Sequence, residues 1–183
     1  MKKHGLLLIL CLASGWSCSG QQPWRARAVD KQVRVQVPGE LQELAPGALG
    51  LSPAAGQRVW RAEDAAGMYL VIRQTPGPIT NRGRYYEGLV RGVLGRTHGE
   101  LLARSTFPTR GGNGIEIVFK AHDPNSGKCF VQYSRSVLVE HCIYNFSFIS
   151  RDENDSTGRS GAEKRRKFFD SIAVTPRAES AVE

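Results

Sequence analysis

Beyond the first twenty residues the chain carries three histidines and two cysteines, and these are the residues most able to do chemistry. His98, His122 and His141 each stand without a partner at the His-x-x-x-His or Cys-x-x-Cys spacing that a zinc site needs. His141 precedes Cys142, which sets a base beside a nucleophile. Consecutive strand residues point to opposite faces, however, so the two cannot readily share a hydrogen bond. Cys142 therefore reads as a core residue. No Gly-x-Ser-x-Gly elbow offers a nucleophilic serine. Gly111-Gly112-Asn113-Gly114 has the composition of a phosphate cradle, yet it leads into a strand and lacks the dipole of a helix start. It reads as a turn. The expectation from these residues is no catalytic group, no metal, no cofactor and no enzyme.

The densest charge run is Lys164-Arg165-Arg166-Lys167. On a helix four consecutive side chains fan over more than half the circumference. One reading is a solvated face flanking Phe168 and Phe169. The sharper reading is a contact surface for anionic lipid or an acidic envelope protein. Arg82, Arg84 and Arg91 on an earlier helix extend that surface if the two helices are neighbours. The formal net charge is +8, which suits an anionic partner.

The address comes from the N-terminus. Met1-Lys2-Lys3-His4-Gly5 is followed by an apolar run from Leu6 to Ala13 and a small-residue exit, the pattern of an export signal. The run is too short to cross a bilayer as a helix, which needs about 20 residues. Ser14-Gly15-Trp16-Ser17-Cys18 resembles the bacterial lipoprotein signal. That resemblance implies that residues 1–17 are removed and that Cys18 becomes a lipid-bearing mature N-terminus. The alternative is an ordinary secretory signal cut after Gly15 or Gly20, giving a soluble periplasmic or secreted protein. Either way the protein is expected outside the cytoplasm, where nucleic acid is a poor partner, and the lipoprotein reading places it in the bacterial cell envelope.

About 165 residues then remain, enough for one domain with a single core. Residues 18–31 read as a tether, 32–176 as the domain and 177–183 as a polar tail. Val33, Val35 and Val37 alternate, so residues 32–37 form a strand. A loop follows, with a short helical turn from Leu41 to Leu44. Residues 58–63 and 68–75 form a hairpin across Asp64-Ala65-Ala66-Gly67. Residues 81–97 have a helical apolar face. Gly88, Gly92 and Gly95 weaken that helix and are expected where its backbone lies close to a sheet. Four strands follow, near residues 100–107, 115–120, 129–139 and 142–148, and then a second helix over 161–171 and a short strand at 172–174. If Glu140-His141 is a two-residue turn, Val139 faces Cys142. Cys129 then lies about 30 Å away at about 3.3 Å per residue, beyond the roughly 7 Å that a disulfide spans. Two separate, buried thiols are expected.

The aromatic strand Tyr144-Asn145-Phe146-Ser147-Phe148, a polar gap, and Lys167-Phe168-Phe169-Asp170-Ser171-Ile172-Ala173-Val174 resemble the PsbP-like family of small exported or lumenal proteins. The resemblance covers about residues 32–175 and is distinctive over the last 60. It implies an α+β fold, an antiparallel sheet flanked by helices in an α/β/α sandwich, and a non-enzymatic binding or assembly role. No ligand site carries over, because only core positions match. The rival functions are an envelope hydrolase with an unrecognised site and a purely structural envelope component. The aromatic pair is expected to dock either on the face of Tyr144, Phe146 and Phe148 or on that of Ile143 and Ile149. Replacing Arg165 or Lys167 is expected to cost under about 0.5 kcal/mol.

Overall fold

A computed structural model describes residues 23–45, 47–48, 56–109, 112–122, 127, 129–152, 155 and 157–175. The export signal, Cys18 and the tail at 177–183 lie outside the described residues. Ten strands and two helices follow in the order β1 Trp24–Ala28, β2 Val33–Pro38, β3 Gln42–Leu44, β4 Arg58–Glu63, β5 Gly67–Gln74, α1 Arg82–Arg96, β6 Glu100–Thr109, β7 Gly112–His122, β8 Cys129–Val139, β9 Cys142–Ser150, α2 Ala162–Asp170 and β10 Ala173–Val174. Seven strands make one antiparallel sheet in the order β3-β4-β5-β9-β8-β7-β6, and β1-β2-β10 make a second.

The main core lies on one face of the large sheet. Val33, Val35 and Val37 are fully buried while Arg34 and Gln36 between them are exposed, the period-2 pattern of a half-buried strand. These valines join Tyr69, Val71, Tyr144, Phe146 and Phe148 of the large sheet and Phe168 and Phe169 of α2 in one cluster. The aromatic pair of α2 therefore docks on the first of its two expected faces. Phe168 is 0% exposed, with its ring 5.3 Å from Tyr69 and 6.3 Å from Phe146. On the opposite face, Tyr86 and Val90 of α1 cover Ile115, Ile117, Phe119, Leu138 and Ile143. Pairing of β7 with β8 ends at Ile115 and Ser136, so the backbone N–H of Leu138 has no strand to meet. It donates to the Tyr86 hydroxyl at 3.1 Å instead, which satisfies a buried donor.

Four expectations are corrected. The protein is richer in sheet than an α/β/α sandwich, because one covering layer is a three-stranded sheet alongside α2. Part of that layer comes from the expected tether: Trp24–Ala28 pairs along its whole length with β2. The strand is hard to see in Trp24-Arg25-Ala26-Arg27-Ala28, since its partner supplies most of the buried apolar surface. The expected helical turn from Leu41 to Leu44 is instead β3, which pairs with β4. An isolated turn of helix cannot repay its nucleation cost. An edge strand gains ladder bonds, and here also the paired contacts of Arg58 with Glu43 at 2.7 Å. Finally, Gly88 and Gly95 do not touch a sheet. A Cβ at either position would meet nothing within 4 Å.

The hairpin between β8 and β9 has the expected register, with Val139 opposite Cys142 and Val137 opposite Tyr144. Cys129 and Cys142 are free thiols, and Cys142 is buried as expected, but Cys129 is only half-buried, because it stands beyond the last β8–β9 pair at Gln132 and Ile149. At the far edge, β6 is exposed along most of its length. A bulge between Leu101 and Ala103, the charge of Arg104 and Pro108 are features that discourage edge-to-edge pairing.

Candidate functional site

The four basic residues of the charge run divide by what they touch. Lys164 donates to Asp64 at 2.7 Å across the molecule, tying α2 to the β4–β5 turn. Arg165 stacks its guanidinium 3.5 Å from the centre of the Tyr133 ring and donates to the Gly158 carbonyl at 2.7 Å. Lys167 sets its ammonium 4.8 Å from the centre of the Trp24 ring. Arg166 is exposed. Replacing Arg165 would remove both a cation–π contact and a hydrogen bond, so its cost should exceed the roughly 0.5 kcal/mol of a bare surface residue. The two helices pack on opposite faces of the large sheet, so Arg82, Arg84 and Arg91 do not extend this surface.

Lys167 brings the run to the first residue of β1. Beside it the end of β1 opens into a cleft of about 670 Å³ lined by Pro23, Arg25, Arg27, Glu40, Arg61 and Glu63 among others. Arg27 donates twice to the Gly39 carbonyl, at 3.0 and 2.9 Å. Glu63 pairs with Arg61 and with Arg151. Arg25 is exposed. Lys167 therefore lies beside Trp24, the first residue of β1, while Arg25, the next residue, points to the other face of the strand and lines the cleft.

The half-buried ionisable groups are committed to holding elements together. Asp64 accepts from the backbone N–H groups of Ala66 and Gly67 and from the Tyr69 hydroxyl, as well as from Lys164. Burial pushes its carboxyl up, but the Lys164 ammonium and the turn N–H groups outweigh that and hold it below its usual value. Burial, then the neighbouring carboxylate, raises Tyr69. Asp30 accepts from Tyr144 at 2.6 Å and sits 3.4 Å from Arg73, linking the β1–β2 turn to β9 and β5. Burial and Asp30 together raise Tyr144. Asp155 is buried in the loop before α2 and accepts from Thr157, Arg159 and Ser160. Burial opposes its ionisation, yet these donors hold its carboxyl low. Arg135 lies between Glu116 and Asp170 and over the rings of Phe107 and Phe169. Among the described residues no three His, Cys, Asp or Glu side chains gather as a metal site would need.

His141 lies in the β8–β9 turn, exposed, while Cys142 is buried and receives a hydrogen bond from Arg73 at 3.0 Å. The pairing that the local sequence conceals is another one. His122 and Cys129 end β7 and β8 directly opposite each other, and the Cys129 Sγ is 3.1 Å from Nδ1 of His122. The signal was available in Asp123-Pro124-Asn125-Ser126-Gly127, whose turn composition makes the flanking residues cross-strand partners.

This fold defines a class. It is similar to the solution structure of cyanobacterial PsbP (CyanoP) from Synechocystis sp. PCC 6803, with a TM-score of 0.58 at 12% sequence identity, over 86% of this chain and 96% of that chain. The fold is therefore of PsbP type. No protein-family model and no curated protein matches the sequence.

Proposed function

We propose that the protein is a binding or assembly factor of the bacterial cell envelope, without catalytic residues, held to a membrane by lipid on Cys18. In this reading the basic end of α2 lies against anionic headgroups. The observation that carries it is the contact of Lys167 with Trp24 at the start of β1. Only residues 19–23 separate Trp24 from Cys18. Fully extended, such a segment spans about 20 Å. An anchored Cys18 therefore keeps Arg25, Arg166 and Lys167 within a short distance of the lipid surface. Each basic residue near an anionic surface contributes about 1 kcal/mol, so three together strengthen association by about 100-fold.

Two measurements test the reading. Cys18→Ala should move the protein from the membrane to the soluble fraction. A wild-type protein that is soluble, with a mature N-terminus other than Cys18, would defeat it. Chain lacking the lipid should co-sediment with phosphatidylglycerol vesicles more than with phosphatidylcholine vesicles, and the triple change of Arg25, Arg166 and Lys167 to Ala should erase the difference. Equal binding by the triple variant would remove the headgroup contact from the proposal.

A further inference from the structure

We propose that Cys129 is a reactive thiol, served by His122 as its base, that forms mixed disulfides with small-molecule disulfides. The sheet builds the pair. His122 and Cys129 are the last cross-strand partners of the β7–β8 ladder, so their side chains share one face. The Cys129 Sγ stands 3.1 Å from His122 Nδ1 and 3.9 Å from Nε2. The histidine is anchored from a second side, since its backbone N–H donates to the Thr97 carbonyl at 3.0 Å, just after α1. His122 is exposed and Cys129 half-buried, in contrast to the buried Cys142.

Cys142 is the internal contrast. It is 8% exposed, and its polar neighbours are Arg73 at 3.0 Å and the Thr75 hydroxyl at 3.7 Å. A guanidinium donates but does not accept a proton in proteins. The imidazole of His122 does, and a thiol needs that transfer because the thiolate is the nucleophile. Among the described residues, ionisable groups close to the pair along the sheet include Lys120, two positions before His122 on the same face, Glu100 opposite Lys120 on β6, His98 beside Thr97, and Asp152 just past the end of β9 on the far side of β8.

The step balances without a further oxidant. His122 takes the Cys129 proton, and the thiolate attacks one sulfur of the disulfide RS–SR. A bond forms between Cys129 Sγ and that sulfur while the RS–SR bond breaks. The leaving thiolate takes the proton from the imidazolium and departs as RSH. The cysteine is oxidised to a mixed disulfide and one half of the reagent is reduced.

The test uses the purified chain and dithiobis(nitrobenzoate) at pH 6, where an isolated thiol with an ordinary pKa of about 8.5 is almost wholly protonated. One thiol should react faster in the native protein than in the urea-denatured chain. The fast phase should persist in Cys142→Ser and vanish in Cys129→Ser. His122→Gln should slow it by about tenfold. Oxidised glutathione should then add one glutathionyl group, located at Cys129 by mass spectrometry. Native Cys129 reacting no faster than the denatured chain would overturn the proposal without recourse to any variant. So would a His122→Gln protein that reacts at the wild-type rate.

Discussion

Replacing Gly88 and Gly95 by alanine should make the protein more stable. Both lie within α1, both are exposed, and a Cβ at either would meet nothing within 4 Å. In a helix interior glycine is less favourable than alanine by about 0.8–1.0 kcal/mol. Gly88 sits mid-helix and should give nearly all of that. Gly95 is in the last turn, where the backbone is less constrained, so about 0.5 kcal/mol is expected there. The sites are seven residues apart, about 10 Å along the axis, so the gains should add to about 1.5 kcal/mol. For a domain of this size that raises Tm by about 3–6 °C. Urea melts followed by far-UV circular dichroism measure it directly. Gly67→Ala and Gly114→Ala supply the opposite sign. A Cβ at Gly67 would lie 2.6 Å from the Ile149 carbonyl, and one at Gly114 would lie 2.8 Å from the Ser136 carbonyl. Both should destabilise by about 1–3 kcal/mol through overpacking. A neutral or destabilising Gly88→Ala would refute the reasoning, because it would mean that the outer face of α1 is covered in the folded protein.

The other predictions concern α2 and the low carboxyls. Phe168→Ala should cost about 3–5 kcal/mol in a denaturant melt, whereas Arg166→Ala should change stability by less than about 0.5 kcal/mol; equal small losses would mean that the helix is not docked. Arg165→Ala should fall between them at about 1–2 kcal/mol, from a cation–π contact and one hydrogen bond, and Tyr133→Leu should remove much of the difference. The carboxyls of Asp64 and Asp155 are both held below the usual aspartate value in the folded protein, so each contributes stability that is present above the unfolded value and lost as pH falls through the folded one. Melts taken downward from pH 6 should therefore steepen below about pH 4, and Asp64→Asn with Asp155→Asn should flatten that decline.

Strand register was legible where the sequence both alternates and turns tightly. Glu140-His141 left one way to align two long apolar strands, and Tyr144, Phe146 and Phe148 follow from it. The first strand was not legible, because Arg25 and Arg27 alternate with alanines and burial there depends on a partner that sequence alone does not rank. The glycines of α1 misled for a different reason. A small residue in a helix is equally consistent with close packing and with an exposed position under no packing demand, and only the surrounding atoms distinguish the two. His122 and Cys129 carry no ligand spacing along either strand; they become neighbours only because β7 and β8 pair antiparallel and end opposite each other.

The basic run shows the same limit in electrostatic form. Four successive charges in a sequence suggest one function, yet the helix deals them to different surroundings. Lys164 reaches a carboxylate that is itself held by two backbone N–H groups, so its charge completes a local turn. Arg165 lies flat on Tyr133, where its planar guanidinium contributes packing as much as charge. Lys167 covers Trp24, setting its ammonium over the face of the aromatic ring beside the end of β1. Structural demand thus falls on the residues that turn toward the sheet. Arg166 turns away from it, so its substitution should separate the two roles: a large effect on vesicle binding with an unchanged melt is the outcome that fits a surface contact, and the reverse fits none of the contacts described.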